Sequence, residues 1–231
     1  MNTKDYNHLI QQAVIFFWDV RLSQGKAGRS RDTGNRSAVT GGKQLDGFIE
    51  LFRKIAIDSG VPSDWIYTKS TNLPGFFRPT KNWDLLIISD KNVLIAVLEL
   101  KSQVGSFGNN FNNRTEEAIG SAVDLWTAYR EKSFGEQAPP WLGYLLIVES
   151  STKSTNRVRI NSSNFDERDE FRGTSYLDRY NLLCVKLVQE RHYSAASLLS
   201  TEPNQEFASI GKLTSIQTFI RNFVGHIISS L

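Results

Sequence analysis

Two spacings of apolar residues divide the 231-residue chain into predicted helices and predicted strands. Apolar residues three and four positions apart mark amphipathic helices, and short continuous apolar runs mark buried strands. The helical spacing covers residues 6–22, 44–57, 115–129, 176–199 (in two pieces, divided near residue 191) and 211–231. The strand-like runs cover residues 65–68, 85–88, 93–98 and 141–149. The main polar segments between them, at residues 23–43, 105–114 and 150–174, are predicted to be loops.

The order of these elements predicts an α/β fold. A helix is followed by antiparallel strands, another helix, a strand and further helices, which is the order of a sandwich with a mixed central β-sheet flanked by helices. No internal repeat or linker divides the sequence, so we expect a single domain over residues 1–231. Its parts include an N-terminal helix (1–22), a basic glycine-rich loop (23–43) and a C-terminal helical part (175–231).

The second and third predicted strands are expected to form a β-hairpin. Residues 90–92 separate them, and turn formers between two β-branched runs are typical of a hairpin. A two-residue turn at positions 91–92 places Asp84 opposite Glu99, and the alternation of side chains places Lys101 on the face of Glu99. The register that follows pairs Ile88 with Ile95, Leu86 with Val97, and Asp84 with Glu99.

Two carboxylates beside a lysine at the end of an apolar hairpin point to a metal site. Like charges on directly opposed strand residues repel, and a hard divalent cation such as Mg²⁺ relieves that repulsion because it binds carboxylates. Lys101 would then orient or deprotonate a bound water, or stabilise a phosphoryl-transfer transition state. The alternative is a solvated strand end, and a register slip of one residue would put Asp84 and Glu99 on opposite faces.

The predicted helix at residues 44–57 carries two further acids. Asp46 and Glu50 lie one turn apart and off its apolar stripe. Either carboxylate could reach the hairpin if this helix packs beside it, and Asp46 is the candidate third acid near the metal. The alternative is that both side chains lie on a solvated helix face.

Positive charge is concentrated in the glycine-rich segment at residues 23–43. The whole chain has a net charge of +3 and a pI of about 8.9, which permits a polyanionic partner. This segment holds five glycines and five basic residues against one acid. Its composition suits contacts with DNA phosphates or base edges, and the alternative is a flexible solvated loop. The candidate DNA contacts here are Arg29, Arg31, Arg36 and Lys43.

Asparagines crowd the predicted loop at residues 105–114. Asn109, Asn110, Asn112 and Asn113 precede Arg114. Asparagine and arginine form bidentate hydrogen bonds with adenine and guanine edges, so we expect this loop to contact DNA beside the candidate metal site. The alternative is a structural role, because asparagine is also common in turns and helix caps.

Other residue types exclude several classes of protein. The single cysteine, Cys184, rules out an intramolecular disulfide framework, and the three histidines have no metal-ligand spacing. The first residues lack the basic start and long apolar stretch of a signal peptide. The longest early apolar run, residues 13–18, is too short to span a bilayer. We therefore expect a cytoplasmic protein with no membrane partner.

Several strings in the sequence resemble known nucleases. Pro79, Asp84 and the run Glu99-Leu100-Lys101 follow the order of the PD-(D/E)xK nuclease signature, although four residues separate Pro79 from Asp84. Longer strings are similar to the XhoI family of type II restriction endonucleases, and the likeness covers roughly residues 36–200. These strings are AVTGGKQLDGF (38–48), WDLL (83–86), ELKSQVGSFGNNFNNRTEEAIGSAVDLWTAYRE (99–131) and EFRGTSYLDRYNLLCVKLVQERHYSAA (170–196).

The resemblance implies a restriction-endonuclease-like core in a Mg²⁺-dependent homodimer that cuts both strands of double-stranded DNA at CTCGAG and leaves 5′ overhangs. It implies that Asp84 and Glu99 are metal ligands, that the Leu100 backbone carbonyl is a further candidate ligand, and that Lys101 is the catalytic lysine. It also implies a separate DNA methyltransferase that protects host DNA. Two alternatives stay open: a structure-selective repair or recombination nuclease of the same fold, and an inactive DNA-binding relic.

Overall fold

A computed structural model describes residues 6–27, 42–160, 164–203 and 207–231, without the side chains of residues 24–27. The helices are α1 (Asn7–Ala27), α2 (Asp46–Asp58), α3 (Phe107–Arg130), α4 (Thr152–Thr155), α5 (Tyr176–Gln189) and α6 (Ile216–Ser230). The strands are β1 (Ile66–Tyr67), β2 (Asn72–Pro74), β3 (Thr80–Asn82), β4 (Leu85–Ile88), β5 (Leu94–Gln103), β6 (Trp141–Glu149), β7 (Ala195–Thr201) and β8 (Ala208–Ser209). None of the helices in these ranges is both long and apolar enough to cross a membrane.

A mixed six-stranded sheet forms the centre of the fold, with the strand order β1-β4-β5-β6-β7-β8. Strands β5, β6 and β7 run parallel to one another, whereas β1, β4 and β8 join by antiparallel pairing. Strands β2 and β3 form a separate antiparallel pair. The predicted α/β fold, with a mixed central sheet flanked by helices, is therefore confirmed.

Helices cover both faces of the sheet. One buried apolar cluster comes from α1, α2 and α6, and the other comes from α3 and α5. Side chains along β6 alternate between the two: Leu145 and Ile147 belong to the first cluster, Tyr144 and Leu146 to the second. Because β6 is buried on both faces, its sequence reads as one continuous apolar run.

The third helix begins earlier than predicted. It starts at Phe107 rather than Thr115, so the asparagine cluster lies in a helix and not in a loop. Gly105 and Ser106 have φ angles of 65° and 47°, and they turn the chain sharply out of β5. The Gly105 N–H donates to the Glu149 carboxylate at 2.9 Å, which fixes this turn. Helical backbone hydrogen bonds after the turn outweigh the weak preference of asparagine for loops.

The structure also corrects three predicted helix limits. Residues 195–201 form strand β7 rather than the second piece of a helix, and all of them are buried. Apolar periodicity alone does not separate a short buried strand from a buried helical segment. Helix α6 begins at Ile216 rather than at residue 211, and α1 continues to Ala27, past the predicted limit at residue 22.

Two glycines give a matched test of this packing. A Cβ at Gly143 in β6 would lie 2.1 Å from the Trp141 ring and 2.9 Å from the Phe219 ring. Since both rings are buried, Gly143→Ala should lower the free energy of unfolding by about 3 kcal/mol. A Cβ at Gly120 in α3 meets nothing within 4 Å. Gly120→Ala should therefore raise the free energy of unfolding by about 0.5–1 kcal/mol. Urea denaturation followed by tryptophan fluorescence measures both, and equal effects would contradict the described β6 packing.

Candidate active site

The β4–β5 hairpin reverses through a longer turn than predicted. The Ser89 N–H donates to the Val93 carbonyl at 2.9 Å, which leaves three residues in the loop instead of two. Asn92 closes the loop with a φ of 59°. Three-residue hairpin loops end in such a left-handed residue, and asparagine tolerates that conformation better than most side chains. The predicted two-residue turn at positions 91–92 is therefore wrong.

The register beyond Ile88 nevertheless matches the prediction. Ile88 pairs with Leu94, not with Ile95, and a register shift follows between Ile87 and Ile88. Ile95 is the extra residue of this bulge, and it offsets the extra residue of the loop. Leu86 consequently pairs with Val97 as predicted.

The side chains of the predicted triad share one face of the sheet. Leu86 and Val97 belong to the apolar cluster under α3 and α5, and alternation places Asp84, Glu99 and Lys101 on that same side. The Asp84 backbone N–H donates to the Leu98 carbonyl at 3.1 Å, which holds the start of β4 against β5. The hairpin thus brings two carboxylates and an ammonium group together.

The Asp84 carboxylate is held by the backbone of β5. Its Oδ2 atom accepts a hydrogen bond from the Leu100 N–H at 2.6 Å. Burial raises the pKa of Asp84 to about 6. The Leu100 N–H and the lysines Lys101 and Lys81 oppose that rise, whereas the Glu99 charge adds to it. Burial is thus the dominant influence on this acid.

Glu99 is the most deeply buried acid of the site, at 1% exposure. Its Oε1 atom lies 2.9 Å from the Lys101 ammonium and 3.0 Å from the Lys81 ammonium. Its Oε2 atom is buried and has no hydrogen-bond partner among the described residues. An unpartnered buried carboxylate oxygen is costly. A divalent cation held by Asp84 and Glu99 would satisfy it, so the residues present fit such an ion.

Lys101 carries its positive charge firmly in this arrangement. Burial, the largest influence, favours the neutral amine, but the charge and hydrogen bond of Glu99 outweigh it and raise the pKa of Lys101. Asp84 and Glu117 act in the same direction. Glu117 belongs to α3 and also forms an ion pair with Arg114. Its ammonium group is placed to stabilise negative charge beside the two carboxylates.

Sequence reasoning missed Lys81. This lysine lies on β3, only three residues before Asp84, and its side chain is 13% exposed. Its position opposite Leu73 in the β2–β3 pair directs its side chain toward the β4–β5 hairpin. The string TKNWD shows a lysine close to Asp84 in the sequence. Only the pairing of two very short strands shows where the side chain of this lysine points.

The structure does not bring Asp46 to the hairpin. Asp46 is exposed at the start of α2, in the helix layer opposite the face that carries the triad. Burial raises its pKa, and its charged neighbours are Lys43 and Glu50 rather than the hairpin acids. The described residues also contain no group of three histidine, cysteine or acidic side chains that could hold a metal. The prediction that Asp46 is a third acid beside the hairpin is therefore wrong.

The candidate DNA contacts fall in two places. Arg29, Arg31 and Arg36 lie outside the described residues, whereas Lys43 is exposed at the start of a one-turn 3₁₀ helix. The first turns of α3 carry the asparagine cluster, of which Asn109, Asn112 and Asn113 are exposed and Asn110 is half-buried. Arg114 is half-buried in its pair with Glu117. Glu117 of the same helix influences the pKa of Lys101, so this part of α3 lies near the candidate site.

A mixed sheet whose antiparallel hairpin carries an aspartate, a glutamate and a lysine defines a restriction-endonuclease-like core. The sequence model described as "Restriction endonuclease XhoI" matches residues 23–214. The chain belongs to this family of type II restriction endonucleases, enzymes that act on double-stranded DNA and generally use divalent metal ions.

Named relatives agree with this assignment. The chain is 45% identical to the type II restriction enzyme BstVI of Geobacillus stearothermophilus over 183 residues, which cover 77% of this chain and 82% of that protein. It is 45% identical to the type II restriction enzyme XhoI of Xanthomonas vasicola over 193 residues, which cover 81% of this chain and 77% of that protein. It is 46% identical to the type II restriction enzyme AbrI of Azospirillum brasilense over 168 residues, which cover 70% of this chain and 74% of that protein. No solved structure matches the chain significantly.

The raised pKa of Asp84 predicts that this carboxylate destabilises the folded protein at neutral pH. Its pKa is about 6 when folded and 3.8 at its ordinary value, so the folded state binds the proton more tightly. The free energy of unfolding therefore falls as the pH rises from about 4 to about 6. Asp84→Asn should raise that free energy at pH 7 by up to about 3 kcal/mol, since one pKa unit is about 1.4 kcal/mol. The gain should nearly vanish at about pH 4.

Urea denaturation in EDTA between about pH 4 and 8 measures this effect. Asp19→Asn is the matched control, because it removes an exposed carboxylate from α1. It should leave the pH dependence of stability unchanged. If Asp84→Asn keeps the pH dependence of the unsubstituted protein, the buried, destabilised carboxylate at position 84 is refuted.

Proposed function

We propose that this protein is a homodimeric, Mg²⁺-dependent type II endonuclease that hydrolyses both DNA strands at CTCGAG, leaving 5′ overhangs. The resemblance to the XhoI family supports the CTCGAG target, and one relative bears the name XhoI. The observation that carries the chemistry is the buried, unpartnered Oε2 atom of Glu99, in the same site as Asp84.

Asp84, Glu99 and the Leu100 carbonyl are the proposed ligands of Mg²⁺. The N–H and C=O groups of one strand residue point to the same side, and the Leu100 N–H points to Asp84. The Leu100 carbonyl therefore also faces this side, at a position where β4 no longer pairs with β5. Two carboxylates and a carbonyl form the oxygen-rich set that Mg²⁺ prefers.

The residues around the ion divide the remaining work. When bound, Mg²⁺ supplies charge neutralisation on the phosphate and a water of lowered pKa. Lys101 presents an ammonium group beside the same carboxylate, at 2.9 Å from Glu99. We assign Lys101 to stabilisation of the negative charge that develops on the attacked phosphate.

The start of α3 is the proposed reading surface for bases. Asn109, Asn112 and Asn113 are exposed on its first turns, and an α-helix fits the major groove, where asparagine pairs with adenine. Asn110 and Arg114 complete this surface. The basic residues Arg29, Arg31, Arg36 and Lys43 are proposed to contact phosphates. In this proposal, base reading is assigned to the helix that follows the catalytic strand directly.

The palindromic target accounts for the proposed homodimer. Each subunit of a two-fold dimer reads one half-site and cuts one strand. A restriction enzyme active in the cytoplasm also endangers host DNA, so we propose a separate methyltransferase that modifies the same sequence. The inactive-relic alternative is disfavoured, because Asp84, Glu99 and Lys101 are all present and adjacent.

Digestion of DNA with known sequence tests the proposal. A duplex carrying one CTCGAG site should give two discrete fragments with 5′ overhangs in Mg²⁺. A duplex with one base pair of the site changed is the control and should stay intact. Asp84→Ala and Lys101→Ala should each lower the cleavage rate at least about 100-fold, with the fold retained by circular dichroism. Smeared products, cleavage at unrelated positions or retained cutting by either variant would contradict the assignment.

A further inference from the structure

Two ammonium groups, not one, contact the same oxygen of Glu99. Lys81 lies 3.0 Å from Oε1 and Lys101 lies 2.9 Å from it. The Lys81 side chain is the less exposed of the two, at 13% against 27%. The motif that marks this class of nuclease contains a single lysine, so the second one has no assigned role.

The surrounding structure holds Lys81 firmly. Its ammonium lies 4.4 Å from the centre of the Trp83 ring, a cation–π contact. Trp83 is itself fixed, because its backbone N–H donates to the Thr71 backbone carbonyl at 3.1 Å. The Thr71 hydroxyl contacts the Trp83 carbonyl in return. Lys81 is therefore a built part of the site rather than a solvated lysine that reaches it by chance.

A buried carboxylate on α3 secures the loop of the β2–β3 hairpin that carries Lys81. Asp124 is 3% exposed and accepts hydrogen bonds from the N–H groups of Phe76 and Phe77 at 2.9 and 2.8 Å. Its second oxygen accepts from Arg78 Nε at 2.7 Å. The hairpin is thus attached to α3 at its loop and to β5 through Lys81.

Lys81 also changes the charge balance of the site. Asp84 and Glu99 contribute two negative charges when ionised, and Lys81 and Lys101 contribute two positive charges. A divalent cation entering this neutral pocket meets two ammonium groups as well as two carboxylates. A DNA phosphate beside the pocket adds negative charge and favours entry of the cation.

We propose that Lys81 is a positioning residue of the nuclease site that makes cation binding depend on bound DNA. It keeps hold of Oε1 of Glu99 when Lys101 turns to the attacked phosphate, so that Oε2 stays directed at the cation. Its charge weakens cation binding until a phosphate arrives. This inference rests on the proposed function, because it takes a divalent cation and DNA as the ligands of the site.

Calorimetric titration with Mg²⁺ in the absence of DNA tests the charge effect. Lys81→Met removes the charge and keeps the length of the side chain, so it should bind Mg²⁺ about tenfold more tightly than the unsubstituted protein. Lys81→Arg keeps the charge and should bind Mg²⁺ within about threefold of it. Lys69→Met, which removes an exposed lysine before β2, is the matched control and should change nothing.

Single-turnover cleavage tests the positioning effect. At saturating Mg²⁺, Lys81→Met should cut at least about tenfold more slowly, and Lys81→Arg should recover part of that loss. The Mg²⁺ concentration for half-maximal cleavage, compared with the affinity without DNA, measures how strongly DNA promotes cation binding. This ratio should shrink about tenfold in Lys81→Met.

Several outcomes would overturn the inference. Unchanged Mg²⁺ affinity in Lys81→Met removes the charge effect, and equal defects in Lys81→Met and Lys81→Arg reduce Lys81 to a structural role. If Lys81→Met does not fold, Lys81→Gln takes its place. Failure of both neutral variants to fold beside a folded Lys81→Arg would show that the charge serves stability only. Absence of cleavage by the unsubstituted protein would instead refute the proposed function, and the Mg²⁺ titration would still report on Lys81.

Discussion

The site depends on the burial of two carboxylates against each other. Asp84 and Glu99 face the same side of the sheet, and the Glu99 charge adds to the cost of ionising the buried Asp84 carboxyl. The fold offsets that cost with the Leu100 N–H and two ammonium groups, all within 3.0 Å of a carboxylate oxygen. The compensation is incomplete, because the Oε2 atom of Glu99 has no described partner. Under the proposed function, this unsatisfied oxygen is the point at which the cation binds.

Such a site requires a rigid frame, since a loosely held carboxylate would turn toward solvent. β5 supplies that frame, because β6 pairs with it along the segment that carries Glu99 and Lys101. β6 is in turn buried on both faces and pairs with β7 on its other edge. The buried parallel core of the sheet therefore holds the acids in place, although ionisation of the Asp84 carboxyl costs stability.

Much of the fold followed from the sequence, and the misses have physical causes. Apolar periodicity identified most of the helices and the buried strand β6, but it did not separate β7 from a helix, because seven buried residues fit either period. The face shared by Asp84 and Glu99 was predicted from a two-residue turn that does not exist. A three-residue loop and the bulge at Ile95 together give the same register. The prediction was right because the extra loop residue and the bulge offset each other.

The remaining errors about the site concern features that depend on contacts distant in sequence or on very short strands. Lys81 reaches Glu99 only because two three-residue strands pair, a feature with almost no signal in the sequence. Asp46 lies on the other layer of the sandwich, although its helix begins just after the basic segment. The asparagine cluster was read as a loop because the turn at Gly105 and Ser106, which starts α3, depends on Glu149 from β6.

Helix α3 connects the proposed DNA contacts to the acids and lysines of the candidate site. Its first turns expose the asparagines, its Glu117 raises the pKa of Lys101, and its Asp124 fixes the hairpin of Lys81. One helix thus influences both lysines that contact Glu99. Under the proposed function, a base contact that shifts the start of α3 also changes the surroundings of both ammonium groups. Recognition and cation binding then share a mechanical element, which is the arrangement a sequence-specific nuclease needs to stay inactive on other DNA.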